Sequence, residues 1–152
     1  MRLTKRFVVS SLDNIPLSIP IRYERYYIND NLRIQKKQDN LEKEILDNDN
    51  NIIEKENILE EEFNTLKNES YSKIIRDSYL YLNDERVSIK RYFDNYEGLI
   101  RVEIKFNTIE EMKSYIKESW MGKEITNTPL AFDKYLSKLS REEFLIELER
   151  YK

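Results

Sequence analysis

Apolar and polar residues alternate along most of the first two-thirds of the chain. RLTKRFVV (2–9), IRYERYYI (21–28) and LRIQKKQ (32–38) change character at nearly every position, the period of a half-buried strand. Asn29-Asp30-Asn31 supplies a turn between the latter two and predicts a hairpin. LEKEIL (41–46) and IIEKENI (52–58), joined by the polar tip DNDNN, predict a second hairpin, with helix as the competing assignment because Glu and Lys favour it. ILEEEFNTLK (58–67) reads as a helix with Asn57 as its cap and acids in its first turn. KIIRDSYLYL (73–82), RVSIKRYF (86–93) and GLIRVEIKF (98–106) follow as strands, separated by the turns NDE and DNYEG.

After Phe106 the period lengthens. TIEEMKSYIKESW places Ile109, Met112, Tyr115 and Ile116 on one helical face, with Thr108 as N-cap and Glu111 at the capping-box position. FDKYLSKL and SREEFLIELERYK predict two short helices, the second capped by Ser140. No internal repeat or disordered linker interrupts the pattern, so the expectation is one domain over residues 1–152, with 139–152 as a C-terminal helical extension.

About eight strands in a meander must either pack on another layer or close on themselves. Several strands carry polar side chains on the face opposite their apolar one: Ser88, Lys90 and Tyr92; Arg33, Gln35 and Lys37; Arg101, Glu103 and Lys105. A closed antiparallel barrel with a polar lumen accounts for all of these together. A sheet with one solvated face accounts for each separately, and the pattern alone leaves both open.

Composition removes several chemistries. The 152 residues include no cysteine and no histidine, which excludes disulfides, thiolate catalysis and the commonest transition-metal ligand. Any metal would need carboxylates and water, hence a hard cation such as Mg²⁺. The 26 basic and 29 acidic residues give a net charge of −3, which is no global signature for nucleic acid, and no specific DNA recognition is expected. No apolar run is long enough to span a membrane and no secretory h-region opens the chain, so a cytoplasmic protein without membrane attachment is expected.

Four segments in order carry a resemblance: KRFVV (5–9); LRIQKK (32–37); ILEEEF..L followed by KIIRDSY; and EGLIRVEIKFNTIEEMKSYIKESWMGKEIT (97–126). From about residue 2 to about 137 they resemble the CYTH domain of class IV adenylyl cyclases, thiamine triphosphatases and inorganic triphosphatases, the triphosphate tunnel metalloenzymes. GLIRVEIKF, a helix and WMGKEIT form the most specific part. The resemblance implies an α+β fold, a closed eight-stranded antiparallel barrel with helices packed outside. It also implies a tunnel in which Lys and Arg grip a triphosphate while acids hold one or two divalent cations.

The chain departs from that pattern where metal would bind. Arg2, Thr4 and Arg6 stand at the three marked positions of the family's opening Glu-x-Glu-x-Lys. Ser88 and Lys90 stand where Glu-x-Asp is usual, and of the last acidic pair Glu103 survives while Lys105 replaces its partner. One carboxylate among several cations repels Mg²⁺ rather than holding it. The resemblance therefore implies a tunnel that binds a phosphorylated anion (a nucleotide, triphosphate or polyphosphate) through Arg2, Arg6, Arg33, Lys37, Arg76, Lys90, Arg101 and Lys105. Arg22 is a further lumen candidate, Glu103 the candidate metal ligand and Glu24 a second acid.

A divergent triphosphatase or adenylyl cyclase using Mg²⁺ or Mn²⁺ is one alternative. A structural or protein-interaction module with a salt-bridged tunnel is another. No cofactor is required by the first reading, and homodimerisation is left open with no interface marked. So many buried cations require a ligand, water with counterions, or acids that spacing does not identify.

Other conspicuous residues have ordinary readings beside the sharp ones. Trp120 reads as packing and Gly122 as a turn residue; Tyr23, Tyr26 and Tyr27 pack or stack on a base. EKENILEEEF reads as a solvated face, and Arg22, Arg25 and Lys36-Lys37 are either phosphate ligands or surface charges.

Overall fold

The computed structural model describes residues 3–152. Eight strands form one antiparallel sheet: β1 (Thr4–Val8), β2 (Ile21–Asn29), β3 (Leu32–Lys37), β4 (Asn40–Leu46), β5 (Ile52–Asn57), β6 (Ser72–Leu80), β7 (Val87–Tyr92) and β8 (Ile100–Lys105). Their order is β1-β8-β7-β6-β2-β3-β4-β5. Four helices accompany them, α1 (Glu60–Asn68), α2 (Ile109–Ser114), α3 (Asp133–Leu136) and α4 (Arg141–Glu149). The α+β class and the eight antiparallel strands are as expected. The segment 41–57, where helix competed, is a hairpin, because Lys43 pairs on the outside with Glu56 while Glu42 and Glu44 turn inward to bases.

Full closure is not what the hydrogen bonds describe. The ladder runs from β1 to β5 without joining these two strands among the described residues. The sheet nevertheless curls, since side chains from β1, β2, β3, β6, β7 and β8 line one cavity. The two edges are managed differently. On β5, Glu54, Lys55 and Glu56 are exposed, and charges on an edge discourage further pairing. The free edge of β1 is covered by residues 122–126: Gly122 N–H donates to Val8 O at 2.7 Å, Val8 N–H to Lys123 O at 3.0 Å, and Ile125 N–H to Arg6 O at 2.8 Å. Gly122 therefore serves close backbone approach rather than a turn, since a Cβ there would stand 2.7 Å from Val8 O.

The two faces sort as the alternation requires. Val102, Ile104 and Phe106 point outward into a core with Phe7, Ile89 and Met121, covered by Met112, Tyr115 and Trp120. Trp120 is a packing residue, edge-on to Tyr81. Under α1, Phe63 packs on Tyr26 and Ile34. Two details differ from the sequence reading. The residue before α1 is Leu59, with no side-chain cap, because Asn57 remains in β5. Helix α2 stops at Ser114, leaving Ile116 exposed. Thr108 does cap α2, and Ser140 with Glu143 forms a full capping box on α4.

Gly122→Ala should destabilise the fold by about 1–3 kcal/mol, the usual cost of forcing atoms into a packed site. Urea unfolding checks this, and an unchanged midpoint would mean that 122–126 is free to move off β1.

Candidate functional site

Inward-facing residues of the curled sheet meet in a cavity of about 150 Å³ lined by Arg6, Arg25, Arg33, Arg76, Lys90 and Arg101, with Glu103, Asn50, Ala131, Phe132 and Asp133. Strand alternation brings these side chains together, and the register sets their neighbours. Lys90 lies opposite Arg101, Glu103 opposite both Ser88 and Arg6, and Arg25 opposite Gln35. Of the eight phosphate-binding candidates, Arg6, Arg33, Arg76, Lys90 and Arg101 line this one cavity.

The others fall elsewhere. Lys105 is exposed, in an outer depression with Leu3, Thr4, Phe106 and Glu103. Lys37 is half-buried near the Tyr23 ring and does not line the cavity. Arg2 lies outside the described residues. Arg22 and Glu24 belong to the opposite face of β2: Arg22 is bound to Asp77 and stacked on Phe93, and Glu24 shares an outer groove with Lys36 and Asp39. Arg25 takes the inward position instead, because lumen parity on β2 runs through Tyr23, Arg25 and Tyr27.

The residue that organises the cavity is Asp133, at the start of α3. One oxygen accepts from Arg25 Nη1 and Arg76 Nε, both at 2.9 Å. The other accepts from Arg101 Nη2 at 3.2 Å and from the Tyr92 hydroxyl at 2.5 Å. Burial pushes this carboxyl upward, but Arg76, Arg101 and Arg25 outweigh it and hold its pKa well below the usual range. Arg33 donates to Glu44 at 2.8 Å, Gln35 to Glu42 at 2.7 Å, and Lys55 reaches both acids at 3.4 and 3.7 Å. Asp133, Glu42 and Glu44 are acids the sequence reading required without naming. The inward alternation of LEKEIL was the available signal for two of them; an acid next to the apolar run Leu130-Ala131-Phe132 was the only hint of Asp133.

Toward the outer depression the balance changes. Glu103 accepts from Arg6 at 3.1 and 3.2 Å and lies 3.9 Å from Lys90, whose ammonium also donates to Ser88 Oγ at 2.6 Å. Burial raises the Glu103 pKa, but Lys90, Arg6, Arg101 and Lys105 bring it down to about 2. Lys90 goes the other way. Burial depresses it, Glu103 partly restores it, and Arg76 and Arg101 repel its proton, leaving it at about 7. Six cations line the cavity against two acids. The buried Nε of Arg101 has no acceptor among the described residues. These residues include no group of three or more Asp, Glu, His or Cys arranged to hold a metal.

The fold and cavity define an α+β protein in which a curled eight-stranded antiparallel sheet surrounds a basic cavity. No family model matches the chain, and no curated protein matches it in sequence. Its architecture is similar to a solved structure described as the hypothetical protein NE1496, at TM-score 0.75 and 14% identity over 92% of this chain and 99% of that one. A second structure, described as the inorganic triphosphatase NE1496, matches at TM-score 0.72 and 15% identity over 88% and 95%. At these identities the likeness is one of fold. No helix of the described residues is long and apolar enough to cross a membrane.

Asp133→Asn should cost about 3–5 kcal/mol in urea unfolding, the penalty for leaving buried ions unpaired. A cost below about 1 kcal/mol, the range of surface pairs, would mean that solvent already screens the cluster. Lys90 should leave a pH signature. Unfolded lysine takes its proton near pH 10.4, but the native one only near 7. Across that window the unfolded chain holds more protons, so stability should fall as pH drops from about 10 to about 7. Lys90→Met should abolish this slope, and identical pH profiles for the two proteins would show that Lys90 is solvated.

Proposed function

We propose that this chain is a tunnel protein that binds a phosphorylated anion, a nucleotide, triphosphate or polyphosphate, without two-metal phosphoryl transfer. The observation that carries the reading is the buried Arg101 guanidinium, whose Nε lacks an acceptor among the described residues, beside Lys90 in a cavity lined mainly by basic side chains. Buried cations without partners are costly, and phosphate oxygens are the acceptors that guanidinium and ammonium groups match best. The description of the fold neighbour as an inorganic triphosphatase, a protein acting on a phosphate chain, agrees with this.

Divalent metal does not suit the donors at hand. Glu103 is held by Arg6 and Lys90, and Asp133 by three arginines. Mg²⁺ or Mn²⁺ would have to displace those cations and then sit among them. The three guanidinium contacts on Asp133 also favour a second reading, a salt-bridged structural lumen. Against it stands the local imbalance of groups, since the single carboxylate of Glu103 faces both Arg6 and Lys90.

Isothermal titration calorimetry at low salt without divalent metal should show tripolyphosphate binding that weakens steeply as salt rises. Lys90→Met should weaken it at least about tenfold, and Glu103→Gln should bind at least as tightly as the parent. Absence of binding would favour the structural lumen. Mg²⁺-dependent phosphate release abolished by Glu103→Gln would establish the enzyme instead.

A further inference from the structure

The inward-facing positions turn from polar to apolar toward the same end of neighbouring strands. On β8 and the residue before it, Arg101 gives way to Leu99; on β7, Lys90 gives way to Tyr92; on β6, Arg76 gives way to Ile74. The register aligns the changes on β7 and β8 and sets the one on β6 a single inward position later. Tyr92 pairs with Arg76, and its N–H donates to Leu99 O. Beyond that level Leu130, Leu136 and Phe144 pack against the same three apolar side chains, all of them almost fully buried. Segment 129–136 is anchored there by Asp133, and Arg101 Nη1 donates to Leu130 O at 2.9 Å. This end of the lumen is closed by the hydrophobic core itself, not by a loop resting over it.

The opposite end remains polar. Glu103 lines both the inner cavity and the outer depression, where Lys105 is exposed beside Thr4. A ligand entering past Thr4 and Lys105, at the end of the paired strands β1 and β8, reaches Lys90 and Arg101 and can go no further.

Building on the anion-binding reading, we propose that the lumen is blind and takes the ends of linear phosphate chains, rejecting phosphate rings and chain interiors. A lumen open at both ends lets a chain thread through and be gripped anywhere along it. Here only a terminal group can reach the deep cations, while the rest of the chain must lie toward Lys105. Chemistry points the same way. A terminal phosphoryl group has a second ionisation with pKa near 6, so it carries more charge and more free oxygens than an interior unit. Such a group suits convergent donors from Arg6, Lys90 and Arg101.

Calorimetry with three probes tests this: linear tripolyphosphate, cyclic tetrametaphosphate of similar charge, and a long linear polyphosphate. Tripolyphosphate should bind at least about tenfold more tightly than the ring. The long polymer should saturate at two protein molecules per chain whatever its length, as read by light scattering. A ring that binds as tightly as the linear trimer, or occupancy that grows with chain length, would overturn end recognition while leaving anion binding intact. If tripolyphosphate itself does not bind, the anion-binding reading fails and end recognition fails with it.

Discussion

One buried carboxylate holds this structure's charges together. Asp133 accepts from arginines on β2, β6 and β8 and from a tyrosine on β7, four strands tied to one short helix. Without a counter-charge, Arg25, Arg76 and Arg101 would confront each other in a space largely shielded from solvent. With it, the C-terminal segment is fastened inside the curled sheet, and Leu130, Leu136 and Phe144 can complete the core beneath.

The same contact decides where charge is left over. Arg25 and Arg76 are paired with Asp133, and Arg33 with Glu44, so the basic groups on those sides of the cavity already face acids. Toward β1 and β8 one acid serves two bases, Arg6 and Lys90 both reaching Glu103, and Arg101 Nε has no acceptor among the described residues. The departure from the metal-binding pattern is thus more than lost acids. The acids that remain are committed to arginines and lysines, and burial beside Arg76 and Arg101 leaves the Lys90 pKa at about 7.

Much of the fold could be read from alternation. Each predicted strand is present within a few residues, because side chains on a sheet repeat every two positions and one face must be apolar. Parity failed on β2, where aromatic and charged residues occupy both faces of IRYERYYI; Arg22 was placed inward although Arg25 points there. Closure was carried over from the family resemblance, whereas here residues 122–126 cover the β1 edge and the ladder stops at β5. Asp133 was out of reach for a different reason. Its partners lie up to 108 residues away in sequence, and no local period marks a side chain whose role is set by long-range packing.

A crystal structure of the chain with tripolyphosphate tests the central claim most directly. The account predicts a terminal phosphoryl group among Lys90, Arg101 and Arg6, with Asp133 still bound to its three arginines. Phosphate density outside the lumen, or a divalent ion seated on Glu103 with the arginine contacts broken, would contradict it.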